Sequence, residues 1–346
     1  MVSTEQRIQS KAYELGYIKC GIVSIEELEE YERRLEERME KVPEASKKFY
    51  ERQKRLTNTK IREQFPWARS AVVVAAHYGR YKIPETLKGH IAKYYLFDFR
   101  VRSEKAEYER FAEMEDFLGQ LGLQTASNQK FGVFSLRWAA MKAGLGVIRN
   151  NNFFYTEHGS WVNLDGWLID QKMELRETAR LPACPPGCTR CVSACPSGSL
   201  SARLTMSPCD CISYLTTFGG RDLPKDAHRG QFGPWIYGCD ACQDACPMNK
   251  GKWEEKYEYS GLKELELYLS LEEILNMDEE FYKRKIQPKF FYIGADELWK
   301  WKVNVLCYMR NNYQESYKPS IAAARESENE KVREMARLVS EELHIA

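Results

Sequence analysis

Eight of the eleven cysteines stand in two runs whose spacing suits iron: Cys184, Cys188, Cys191 and Cys195 before Pro196, then Cys211, Cys239, Cys242 and Cys246 before Pro247. Four thiolates hold one cubane, so eight imply two 4Fe-4S clusters. In two-cluster ferredoxins the cysteine before proline ligates the cluster of the other run, and both runs here carry that cysteine. The expected ligand sets are therefore crossed: Cys184, Cys188, Cys191 and Cys246 for one cluster, Cys239, Cys242, Cys211 and Cys195 for the second. Paired clusters carry electrons, and in a chain much longer than they require they feed chemistry elsewhere. Zinc also takes Cys-x-x-Cys pairs in tetrahedral sites, but it gives no reason for a repeated Cys-Pro. Disulfides fit less well, because Met1–Lys11 lacks the apolar centre of a signal peptide and a cytoplasmic, reducing location is expected. Cys20 and Cys307 lie in apolar patterns that read as core packing. Cys209, two residues before Cys211, is an alternative ligand to it.

These residues need elements to hold them. A chain of 346 residues is long enough for about two or three packed units. With 43% hydrophobic and 29% charged residues and a net charge of +1, it has an ordinary soluble composition, and no apolar run approaches the ~20 residues that span a bilayer. No membrane partner is expected. Nucleic-acid binding would need a local basic patch. Apolar spacing predicts a helix over Glu5–Leu15, a strand over Ile18–Ile25, charged surface helices over Glu27–Arg62, and a strand buried on both faces over Ser70–Ala76. Helices over Ser103–Leu121 and Ser135–Ala143 follow, then a strand over Trp161–Leu168. This alternation indicates an α/β or α+β unit over residues 1–180. Beyond the cysteines, helices are expected over Leu262–Leu275, Glu297–Arg310, Ser320–Arg325 and Glu330–Leu343, either as repeat-like pairs or as a cap on the cluster region.

Cys211–Thr216 together with Ile236–Lys250 closely resembles epoxyqueuosine reductase. Ala143–Gly146, Asn151 and Gly159–Trp161 extend the resemblance upstream, and Val332–Ala336 resembles the family's terminal HEAT-like helix. The resemblance implies an α+β fold with a nitroreductase-like cobalamin domain (1–180), a ferredoxin-like double-cluster domain (181–255) and a short C-terminal helical, HEAT-like region (256–346). It also implies base-off cobalamin, a small soluble electron donor of the flavodoxin or ferredoxin type, and transfer through both clusters to cobalt, which reduces an epoxide on a modified tRNA base. Reductive dehalogenases are relatives. A corrinoid site lined by Arg137, Gly144, Asn151, Phe153, Ser160 and Ser213 beside the second cluster is the corresponding expectation.

Departures from the family pattern bear on the substrate. Lys130 occupies the position of the family's catalytic Asp, and Arg137 matches an arginine expected to contact cobalamin or orient the proton donor. Arg149-Asn150-Asn151 replaces Gly-Lys-Asn, Asp98-Phe99-Arg100 stands for Asp-Tyr-His, and Pro185-Pro186-Gly187 lengthens the first cysteine loop by one residue. Lys130 is either a surface lysine or a cation suited to an anionic substrate, and Tyr155 is an alternative proton donor. With Arg149 and Arg100 adding charge near the pocket, the expected reaction is not ordinary epoxyqueuosine reduction. Two other functions stay open: a dehalogenase-like enzyme acting on a small electrophile, and an electron-transfer protein that reduces a corrinoid partner. If tRNA is bound, Lys283, Arg284, Lys285, Lys289, Lys300, Lys302 and Arg310 offer a basic face; the plainer reading is a solvated helix surface.

Overall fold

The computed structural model describes residues 2–97, 106–129, 132–219 and 232–345. The expectations placed on Asp98, Phe99, Arg100 and Lys130 lie outside the described residues.

Every residue of strand β2 (Ser70–His77) is buried. Strand β1 (Lys19–Ser24) pairs antiparallel with one edge of β2, setting Cys20 against Val74, and β6 (Val162–Ile169) pairs antiparallel with the other, setting Trp167 against Val72. A short strand, β3 (Thr125–Ser127), completes the order β1-β2-β6-β3. Because side chains alternate across a strand, β2 serves two cores. Ala71 and Val73 enter one, packed with Leu28, Tyr31 and Leu35 from helix Glu26–Met39 and with Trp138–Ala140 from helix Leu136–Lys142. Val72, Val74 and Ala76 enter the other, packed with Ile8 and Ala12 from helix Thr4–Glu14 and with Phe111, Met114 and Leu118 from helix Ala106–Gln120. The continuous apolar run is thus a strand covered by helices on both faces. Fully burying each of its valines is worth about 1.5–3 kcal/mol. The antiparallel pairing makes this layer α+β.

The first helix starts where a capping box fixes it. Ser3 Oγ accepts the Gln6 N–H at 3.2 Å, and Gln6 Oε1 accepts the Ser3 N–H at 3.1 Å, satisfying two otherwise unpaired donors.

A third core joins the Tyr78–Phe97 segment, adjacent in sequence to β2, with apolar residues from Ile212 onward to Ile345. Tyr237 stacks on Trp301 at 4.8 Å, and Ile91 pairs with Tyr237 through a parallel bridge. Helix Leu298–Asn311 lies at the centre and packs against Glu330–Glu342 and Leu271–Asn276. The single helix expected over Leu262–Leu275 is two, Leu262–Leu265 and Leu271–Asn276, because Ser270 Oγ accepts the Glu273 N–H and starts a new helix there. Cys20 and Cys307 are fully buried in their cores.

Gly144 ends helix Leu136–Lys142 with φ +79°, and a Cβ there would stand 1.9 Å from the Glu177 carbonyl oxygen. The chain around Glu177 runs alongside, since Glu177 N–H donates to Ala143 and Ala179 N–H to Gly144. Gly144→Ala is therefore expected to cost about 2–5 kcal/mol, the sum of left-handed strain and overpacking. Gly119→Ala, where a Cβ meets nothing, should be neutral or stabilising by up to about 1 kcal/mol. Anaerobic urea midpoints measure both.

Candidate iron-sulfur centre and adjoining cavity

The two cysteine runs fold alike. Cys191 lies on the short helix Arg190–Ser193 and Cys242 on Ala241–Asp244, and these helices pack together. Each run then turns: Cys195 N–H donates to Val192 O at 3.2 Å and Cys246 N–H to Gln243 O at 3.1 Å. The turns carry the pre-proline cysteines across. Cys191 interacts electrostatically with Cys184 and Cys246, whereas Cys242 does so with Cys239, Cys211 and Cys195. These groupings follow the crossed ligand sets expected from spacing.

Burial pushes the Cys239 and Cys242 thiols well up, and cluster binding must remove those protons. Backbone N–H groups of Ser213 and Tyr214 favour the Cys211 thiolate, and that of Ala241 favours Cys239; such bonds tune cluster potential. Cys209 instead turns its Sγ to the Ala45 carbonyl at 3.5 Å, which leaves Cys211 as the residue grouped with the second set.

A cavity of about 280 Å³, partly open to solvent, adjoins these thiols. Its wall contains all four cysteines of the second set, Cys195, Cys211, Cys239 and Cys242, and none of the first. Arg137, Asn151, Phe153 and Ser213, expected at a corrinoid site, also line it. Asn151 spans the junction: its Nδ2 donates to the Cys242 carbonyl at 3.1 Å and to Tyr155 Oη at 2.9 Å. Arg137 donates from Nη1 to the Asn152 carbonyl. Asn152 has φ +64°, lines the cavity, and keeps a buried Oδ1 without a hydrogen-bond partner. Its positive φ had no signal beyond asparagine's tolerance for that region. Arg38, Tyr50 and Tyr95, also in the wall, carried no motif at all.

Three expected cavity residues lie elsewhere. Gly144 packs on Glu177, as above. Ser160 is buried in a network: its N–H donates to Asn249 Oδ1, its hydroxyl donates to Gln243 Oε1, and Asn249 Nδ2 donates back to Ser160 Oγ, all at 2.8 Å. Tyr155 is fully buried, and burial together with the Cys246 thiol pushes its hydroxyl up, away from ready proton donation. Arg149 likewise does not face the cavity. It is 3% exposed, donates to the Pro182 carbonyl at 2.9 Å and points Nη1 toward Cys184, so its charge serves the first cysteine set. Asn150 continues that attachment by donating to the Cys188 carbonyl at 3.2 Å.

Asn249→Ala would strip the Ser160 N–H of its acceptor and break two further bonds, from Asn249 Nδ2 to Ser160 Oγ and to the Gln243 carbonyl. A loss of about 2–5 kcal/mol is expected, since buried polar groups left unmatched cost about 1–3 kcal/mol each. An anaerobic melt that tracks cluster absorbance would show it as earlier unfolding and iron release.

The proposed basic face is largely neutralised. Lys300 is 2% exposed and pairs with Glu297, Lys283 pairs with Asp296 and Glu279, and Arg310 pairs with Glu342. Lys289 lies over the Tyr259 ring, and burial lowers Lys302. Of the seven, Arg284 and Lys285 are exposed. Sequence counting missed the acidic partners because they come from other turns and helices.

Comparison with known proteins agrees with the thiol geometry. Residues 184–249 match the family described as 4Fe-4S double cluster binding domain. The epoxyqueuosine reductase of Cellulophaga algicola is 27% identical over 254 residues, covering 70% of this chain and 78% of the relative. That of Bacillus subtilis is 36% identical over 147 residues, covering 42% of this chain and 37% of the relative. A crystal structure of epoxyqueuosine reductase with an epoxyqueuosine-modified tRNA-Tyr stem loop shares the fold with TM-score 0.73 at 22% identity, over 98% of this chain and 89% of that one. A Bacillus subtilis enzyme structure described with its catalytic aspartate loop swung out of the active site has TM-score 0.70 at 22% identity, over 98% of this chain and 90% of that one. Among the described residues, no helix is long and apolar enough to cross a membrane. With the double-cluster region, the antiparallel α+β layer and the cavity in place, the chain is an iron-sulfur oxidoreductase that resembles epoxyqueuosine reductases.

Proposed function

We propose that the cavity beside the second cysteine set binds base-off cobalamin and is where the reaction occurs. The observation that carries this reading is the wall composition: four thiols of one set and none of the other. Electrons from a small soluble donor of the flavodoxin or ferredoxin type would enter at the half-exposed Cys184 and Cys188 and leave at the cavity. The residues suit a corrinoid. The unpaired Asn152 Oδ1 would be available to accept an amide N–H of a corrinoid, and Ser213 and Asn151 place further polar groups in the cavity wall. At about 280 Å³ the cavity falls just below the ~300–1,000 Å³ of pockets that engulf a small ligand, so a macrocycle bound here would be only partly enclosed. Bound cobalamin supplies a reducible cobalt centre for an electrophilic carbon. The chain's own part is to orient it through Arg137 and Asn151, to limit water, and to provide a proton.

In this reading residues 1–180 form a nitroreductase-like cobalamin domain, 181–255 the ferredoxin-like double-cluster domain, and 256–346 a HEAT-like cap. The substrate is an epoxide on a modified tRNA base, as the names of the relatives suggest. One observation favours a second reading: Lys130, where the family carries its catalytic Asp, suits a different and anionic electrophile, as in dehalogenase-like chemistry.

The experiment is an anaerobic titration of cluster-loaded protein with cobalamin, followed by incubation with epoxyqueuosine-bearing tRNA and nucleoside analysis. Stoichiometric corrinoid binding with conversion to queuosine supports the first reading, and binding without conversion supports the second. A protein that takes up no corrinoid would instead be an electron-transfer module for a corrinoid partner.

A further inference from the structure

We propose that His77, His158 and Glu254 form a binding site for a divalent transition metal of the zinc class, separate from the eight cysteines and from the cavity. One ring nitrogen from each histidine and one Glu254 carboxylate oxygen lie within 4.8 Å of one another. The two imidazoles face each other with centroids 4.7 Å apart and a 34° tilt. His77 is 7% exposed, and its Nε2 is buried without a hydrogen-bond partner.

Three separate stretches of backbone hold the ligands. His77 ends β2. His158 sits in the turn closed by Thr156 and Gly159, whose N–H groups donate to each other's carbonyls at 3.0 and 3.1 Å. Glu254 follows the second cysteine run, and its N–H donates to the Gly79 carbonyl at 2.6 Å, while Lys256 N–H donates to Arg80 at 2.8 Å. Gly79 permits the approach, since a Cβ there would stand 2.6 Å from His77 Nε2. Glu254 is held by Lys256 at 2.8 Å, and a carboxylate has a second oxygen for a metal.

The donor set names the metal class. Two imidazoles and one carboxylate are ligands that zinc accepts while keeping a fourth position open, and imidazole suits first-row transition metals. Magnesium and calcium prefer oxygen cages. Bound there, the ion would clip the end of the sheet to the segment leaving the cluster region.

Zinc is the probe, added to anaerobic protein already holding its iron, with both metals counted after equilibrium dialysis. About one zinc per chain should bind with iron unchanged, and His158→Gln and Glu254→Gln should each weaken it about tenfold or more with full iron retained. His158 is half-buried and Glu254 exposed, so retained iron reports intact folding; should one variant lose iron, the other carries the test. Zinc that binds equally to both variants, binds only as iron leaves, or fails to bind at about 100 μM, well above the level of a built three-ligand site, overturns the proposal.

Discussion

Cys195→Ala should abolish the second cluster and spare the first, although Cys195 belongs in sequence to the first run. Iron and acid-labile sulfide should fall from about eight to about four per chain, and reduction at the cavity should cease, because Cys195 lies in the cavity wall with Cys211, Cys239 and Cys242. Cys246→Ala should do the converse, since Cys246 interacts with Cys191. The decisive measurement is non-additivity. If the sets are crossed, Cys195→Ala combined with Cys211→Ala still leaves about four irons, because both changes strike one cluster. If Cys195 instead served the cluster of its own run, the double variant would lose nearly all its iron. Anaerobic purification with iron and sulfide analysis separates the outcomes.

Lys130→Asp should raise conversion of epoxyqueuosine-bearing tRNA about 10- to 100-fold while iron and bound corrinoid stay constant. A positioned proton donor contributes about 10²- to 10⁴-fold. The two side chains start far apart, with unperturbed pKa values of about 3.9 for Asp and 10.4 for Lys. A site built around one does not tune the other, and Arg38 and Arg137 in the cavity wall favour an anionic ligand. Wild-type conversion at the rate of an Asp-bearing relative would remove the second reading of the substrate. Salt dependence gives an independent check: phosphate contacts with tRNA weaken steeply as salt rises, whereas a small electrophile shows little change.

Local interactions were legible in the sequence. A cysteine three residues from the next sits one helical turn on, and proline ends the turn, so spacing alone pointed to two cubanes with crossed ligands. The unbroken apolar run Ser70–Ala76 announced a strand covered on both faces, and the apolar spacing over Glu5–Leu15 announced a helix, found at Thr4–Glu14. Tertiary structure decided the rest. Strands β4 (Val147–Ile148) and β5 (Phe154–Tyr155) contain two residues each, too few for a period to register. Cys209 and Cys211 are equivalent by spacing, and only the position of Ala45 draws one away. Arg149 and Asn152 are three residues apart, yet one turns to the first cysteine set and the other to the cavity, because Arg149 is held by the Pro182 carbonyl whereas the Asn152 carbonyl is held by Arg137. The cavity wall draws on residues from Tyr31 to Cys242. Their meeting depends on how helices close over the sheet and cluster region, a long-range packing outcome with no short-range period to read.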